Sequence, residues 1–131
     1  MEKTIETGRL GECIAGEFLI NNGFIIVGKN WRYKHLEIDI IAIKDLEIHF
    51  VEVKCLHFPC MQEPYMKVDK SKKKKIIKAA NGFLNSSDWK SILKRLKVSC
   101  NFEACFDIVS IEINGEEHNL AFYENAYSPL W

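Results

Sequence analysis

The chain has 131 residues, 18 Lys and Arg against 18 Asp and Glu, and 47% hydrophobic residues. That length is one domain with room for a core, and that apolar content argues against a disordered chain. A formal net charge of zero argues against a generally basic nucleic-acid binder, so the placement of the charges matters more than their sum. Residues Met1 to Glu6 carry acids and no apolar core of a signal peptide. The apolar stretches are too short to span a bilayer, so a cytoplasmic protein without membrane contact is expected.

Residues Glu6 to Asn22 predict an amphipathic helix with Leu10, Ile14, Ala15, Phe18 and Leu19 as its apolar stripe. Gly23 follows where a helix C-cap prefers glycine. Phe24 to Val27 reads as a strand that continues through Asn30, Trp31 and Arg32. Two alternating runs come next. One places Glu37, Asp39, Ile41 and Ile43 on a face, and the other Ile48, Phe50, Glu52 and Lys54. Lys44-Asp45-Leu46-Glu47 between them has the length of a hairpin turn. Folding about Asp45-Leu46 sets Ile43 against Ile48, Ile41 against Phe50, Asp39 against Glu52 and Glu37 against Lys54.

His57 to Pro64 reads as a loop, and Asp69 to Leu84 as a second helix with Ile76, Ile77, Ala80, Phe83 and Leu84 inward. Extending that stripe backwards turns Lys72 and Lys73 inward too, while Lys67, Lys74 and Lys78 face away. Ser86-Ser87-Asp88 offers an N-cap for a shorter helix through Leu96. Phe102 to Ile113 alternates as a strand, Asn114-Gly115 marks a turn, and Asn119 to Tyr123 returns beside it. The expected order is α-β-β-β-α-α-β-β, an α/β fold with helices on the faces of a mixed sheet, in a single domain spanning 1–131.

The hairpin acids carry the chemistry. Directly opposed residues have Cβ atoms about 4.5–5.5 Å apart, and like charges opposed in this way repel. Asp39 opposite Glu52 therefore calls for a cation, and Mg2+, with Mn2+ as a substitute, suits a small set of carboxylates that leaves room for water and phosphate oxygens. Such an ion lowers the pKa of bound water and polarises a phosphoryl oxygen. Lys54, two residues after Glu52, is suited to orient water or stabilise developing charge. The Val53 carbonyl is a further metal donor, and Glu12 on the first helix, among Gly8, Ala15 and Gly16, is a candidate fourth acid. The ordinary alternatives are a Glu37–Lys54 ion pair and a surface role for Glu12.

From Lys67 to Lys78 the chain reads K-V-D-K-S-K-K-K-K-I-I-K, a concentrated positive stretch. Lys70, Lys72, Lys73 and Arg32 are the candidate contacts to nucleic acid, with salt-sensitive binding expected. Trp31 and Tyr33 suit base stacking or, more simply, core and rim packing. The five cysteines, without a secretion signal, read as reduced thiols. Cys55, His57 and Cys60 do not have paired zinc-ligand spacing.

With these residues in hand, the chain resembles the YraN family of uncharacterised bacterial proteins. The resemblance runs through Gly8-x-x-Gly11-Glu12-x-x-Ala15 with Leu19, then Gly23-Phe24, Asn30-Trp31-Arg32 and Glu37-Ile38-Asp39. It continues through Phe50-Val51-Glu52-Val53-Lys54, Lys72 with Ala79-Ala80, Phe106-Asp107 and Glu124-Asn125-Ala126-Tyr127. That family looks like a branch of the restriction-endonuclease-like fold, similar to Holliday-junction resolvases. The resemblance implies a nuclease core with Glu12, Asp39, Glu52 and Lys54 at the metal site and Lys72 nearby. Leu36, Leu56 and Cys105 depart from the family pattern of a glycine, an arginine and a basic residue. The expected function is a divalent-metal-dependent DNA endonuclease, acting on branched or structured DNA and possible as a homodimer. The alternatives are a non-catalytic nucleic-acid-binding module and an interaction protein that docks through its 126–131 tail.

Overall fold

Residues 5–57 and 70–129 are described by a computed structural model of the chain, the first three of them by backbone alone. They run in the expected order: α1 (Ile5–Asn21), β1 (Ile25–Tyr33), β2 (Leu36–Lys44), β3 (Glu47–His57), α2 (Lys70–Leu84), α3 (Ser87–Leu96), β4 (Glu103–Asn114) and β5 (Glu117–Tyr127). Pro59, Cys60, Pro64, Lys67 and Asp69, and the end of the tail at Trp131, lie outside the described residues.

The five strands form one sheet in the order β1-β2-β3-β4-β5. The β1–β2, β2–β3 and β4–β5 pairs are antiparallel, and β3–β4 is parallel. A parallel neighbour requires a long crossover, which α2 and α3 lie within. The result is the mixed α/β sheet flanked by helices that the sequence predicts, compatible with a restriction-endonuclease-like core.

Two apolar layers sandwich the sheet. Ile41, Ile43, Ile48, Phe50, Phe106 and Ile108 pack under α2 and α3 against Ile76, Ala80, Phe83 and Trp89. On the other face Ile40, Ala42, Val51, Val53 and Val109 pack against Ala15 and Leu19 of α1. Leu10 departs from the predicted stripe, being about half exposed. The turn residues behave as their types suggest. Gly23 and Asp45 have positive φ, and Ser86 caps α3 by accepting a hydrogen bond from the Trp89 amide at 3.2 Å.

The hairpin register is Ile43 with Ile48 and Ile41 with Phe50, as expected, but the ladder ends at Ile40 with Val51. Strict alternation also fails there. Ile38 joins the same layer as Ile41, while Ile40 joins the opposite one. The backbone thus changes its facing around Asp39. Glu37 is drawn to Arg32 on β1, at 3.1 Å, in place of the anticipated partner Lys54.

Candidate metal and nucleic-acid site

The end of the β2–β3 ladder is where several of the candidate side chains gather. The Val53 amide donates to Asp39 Oδ2 at 2.8 Å, so a carboxylate oxygen serves as the acceptor just beyond the last backbone pair. Asp39 is thereby pinned beside the backbone of Val53. Glu52 is only 7% exposed, yet it is not left to bear its charge alone. Lys72 Nζ lies 2.6 Å from Glu52 Oε1, and Lys54 Nζ lies 3.6 Å from the same oxygen. The inward turn of Lys72 read from the helix period is borne out by this contact.

The two lysines are shifted in opposite directions here. Burial works against the Lys72 charge, but Glu52, with help from Lys54 and Asp39, more than restores it and raises its pKa. Lys54 goes the other way. Burial, then the neighbouring Lys72 ammonium, lowers its pKa despite the attraction of Glu52. Lys72 is therefore held as a cation more firmly than Lys54.

Glu12 approaches from α1. A Cβ added at Gly11 would sit 2.7 Å from Cys55 Cβ and 3.7 Å from Val53 Cγ1, so the helix turn carrying Glu12 lies directly against β3. Glu12 is half-buried, and among the described residues no hydrogen bond or ion pair ties it to Asp39, Glu52 or Lys54.

The predicted nucleic-acid contacts separate into two groups. Lys72 belongs to the acidic site, and Lys73 lies over the buried Tyr127 ring at 5.4 Å. Lys70 is exposed at the first position of α2, and Arg32 is exposed on β1 beside Glu37. Trp31 and Tyr33 stack with centroids 6.3 Å apart, and Trp31 Nε1 donates to Asp88 at 3.0 Å. A cavity of about 650 Å³ opens beside them, with Lys78 and Asn81 in its wall. Gly82 is required here, because a Cβ would fall 2.3 Å from the Tyr33 ring.

The sequence reading missed a second polar cluster on the α1 side of the sheet. His49 and Asp107 are fully buried, and His49 Nδ1 meets Asp107 Oδ2 at 2.5 Å. His49 Nε2 lies 3.2 Å from Glu47 Oε1. Ligand atoms of Glu47, His49 and Cys105 all fall within 4.8 Å of one another, an acidic/His/Cys group able to hold a metal. The signal that could have found it is a polar residue in the middle of each of two apolar strands, His49 between Ile48 and Phe50 and Asp107 between Phe106 and Ile108. No helix among the described residues is long and apolar enough to cross a membrane.

A family profile described as "Uncharacterised protein family UPF0102" matches residues 11–111. A UPF0102 protein of Chloroherpeton thalassium is 35% identical over 138 aligned positions, covering 99% of each chain. One of Flavobacterium johnsoniae is 34% identical over 122, covering 93% of this chain and 94% of its own. One of Chlorobium chlorochromatii is 39% identical over 84, covering 64% of this chain and 65% of its own.

Proposed function

This chain belongs to the uncharacterised protein family UPF0102, the YraN family, whose name assigns no activity, and from its site we propose a divalent-metal-dependent endonuclease acting on DNA. The observation that carries the reading is the ammonium of Lys72 held 2.6 Å from the nearly buried Glu52 carboxylate and raised in pKa partly by Asp39. That corner of the molecule selects a positive charge. Its carboxylate oxygens form a hard donor set, which suits Mg2+ or Mn2+ better than a thiophilic ion.

Asp39 and Glu52 would hold the ion, with the adjacent Val53 carbonyl and Glu12 as further oxygen donors. The ion would supply an activated water and charge stabilisation on phosphorus. Lys54 would orient the attacking water or stabilise the negative charge that develops on the phosphoryl group. Lys72 would move from Glu52 to a phosphate oxygen when metal and substrate arrive. Lys70, Lys73 and Arg32 would grip the backbone without reading sequence.

The test is cleavage of branched and linear DNA with Mg2+ or Mn2+ by the wild type and by Asp39→Ala and Glu52→Ala. Loss of cutting in both variants is expected. Cutting that persists unchanged in them belongs to a contaminant and overturns the reading. The same Lys72–Glu52 contact favours a second reading, in which the lysine permanently takes the place of the ion and the fold only binds nucleic acid. Steeply salt-dependent binding, without metal uptake at Glu52 and without cutting, would select that alternative.

A further inference from the structure

We propose that the Glu47/His49/Cys105 cluster is a separate site for a thiophilic divalent cation of the zinc type, clamping the start of β3 to β4. The arrangement is built from strand register. Glu47 and His49 are two apart on β3 and share a face. Cys105 is the ladder partner of His49 on β4. Three donors of three types thus converge, with mutual distances within 4.8 Å. Zinc bonds of about 2.0–2.3 Å to N, O and S bring ligand atoms of a tetrahedral site about 3.3–3.8 Å apart, so only a small contraction is needed. The Glu47–His49 pair, at 3.2 Å, is already near that spacing.

The surroundings resemble those of an oriented ligand. His49 presents Nε2 to Glu47 while Nδ1 is fixed by Asp107 Oδ2. The other oxygen of Asp107 accepts from the Asn125 amide at 2.9 Å, inside the bulge that separates the Phe106 and Ile108 pairs. A carboxylate on the far nitrogen of a metal-binding imidazole sets its tautomer and orientation and strengthens it as a donor. Phe24 closes the ring's flank at 4.9 Å, and Glu47, with its side chain 43% exposed, leaves an entry path from solvent. His49 and Cys105 themselves are buried. A thiolate with imidazole and carboxylate selects a zinc-type ion, in contrast to the all-oxygen set at Glu52. Binding exchanges the thiol proton of Cys105, and any proton on His49 Nε2, for the cation, and both protons go to solvent.

The experiment uses the full chain with Cys13, Cys60 and Cys100 changed to Ser, so that other thiols do not bind the probe. Cobalt(II) is titrated in and absorbance followed, and zinc is then used to displace it. One equivalent of cobalt with a thiolate charge-transfer band, removed by zinc, is expected. Cys105→Ser should abolish the band, and Asp107→Asn should weaken binding about 10–100-fold. Asp39→Ala with Glu52→Ala should leave it intact, which separates this ion from the one in the proposed nuclease site. Because a change at His49 or Asp107 could impair folding, Cys105→Ser, nearly isosteric, is the deciding variant. The absence of the band, or its survival in Cys105→Ser, overturns the proposal.

Discussion

Two polar clusters flank the same central strands, and they differ in almost every physical respect. The Glu52 cluster lies on the α2 side and consists of oxygens and two ammonium groups, with Lys72 still 42% exposed. The His49 cluster lies on the α1 side and is buried except at Glu47, with an imidazole, a thiol and an internal carboxylate. The first has charges that can be exchanged with solvent and ligand. In the second His49 and Asp107 fix each other, and Asp107 also ties down the β5 bulge through the Asn125 amide.

The sharpest break of this comparison is kinetic. Asp39→Ala or Glu52→Ala should reduce metal-dependent DNA cleavage by about a hundredfold or more, well beyond what the loss of the Val53 amide contact or of the Lys72 ion pair takes from the urea midpoint. Asp107→Ala should act chiefly on stability, because Asp107 holds both His49 and the Asn125 amide. Removing one member of a buried pair costs about 3–5 kcal/mol, so the urea midpoint should fall strongly whatever the assay of activity shows. Gly82→Ala comes next, at about 1–3 kcal/mol of overpacking against Tyr33, read by thermal melting.

A pH series on metal-free protein separates the clusters more finely. His49 is raised above 6.5 because Asp107 and Glu47 outweigh the burial that opposes its charge. Its contribution to stability should be fully present below pH 6.5 and lost as pH rises through the higher folded value. Urea midpoints should follow that course, and Asp107→Asn should flatten it. The smallest effect is expected for Lys70→Ala, which should leave folding unchanged and lower the salt slope of DNA binding by about one unit.

Much of this was legible in the chain. Alternation from Ile41 to Phe50 implies the correct register, and the helix period alone turns Lys72 and Lys73 inward. What periodicity could not give is the change of facing at Asp39. A register argument assumes a regular ladder, and this one stops a residue early, with a side chain as acceptor. The pairing of Glu37 with Arg32 comes from the β1–β2 ladder, in which the two are directly opposed. His49 and Asp107 escaped because a lone polar residue in an apolar run reads as noise until its neighbour across the parallel pair is known.

That parallel pair has a consequence for how the protein assembles. Every partner from Glu47–Glu103 to His57–Ile113 keeps the same long offset, so no local turn can start this ladder. The chain must close a loop that contains both α2 and α3 before the first rung forms, at an entropic cost that grows with loop length. We expect the β2–β3 hairpin to mature first and to wait with one edge bare until the β4–β5 hairpin docks. Pulse-labelled hydrogen exchange during refolding should find the amides shared by β2 and β3 protected before those shared by β3 and β4, and simultaneous protection would contradict this order. During that interval the uncovered edge is the point at which a second chain could add, so yield on refolding should fall as protein concentration rises.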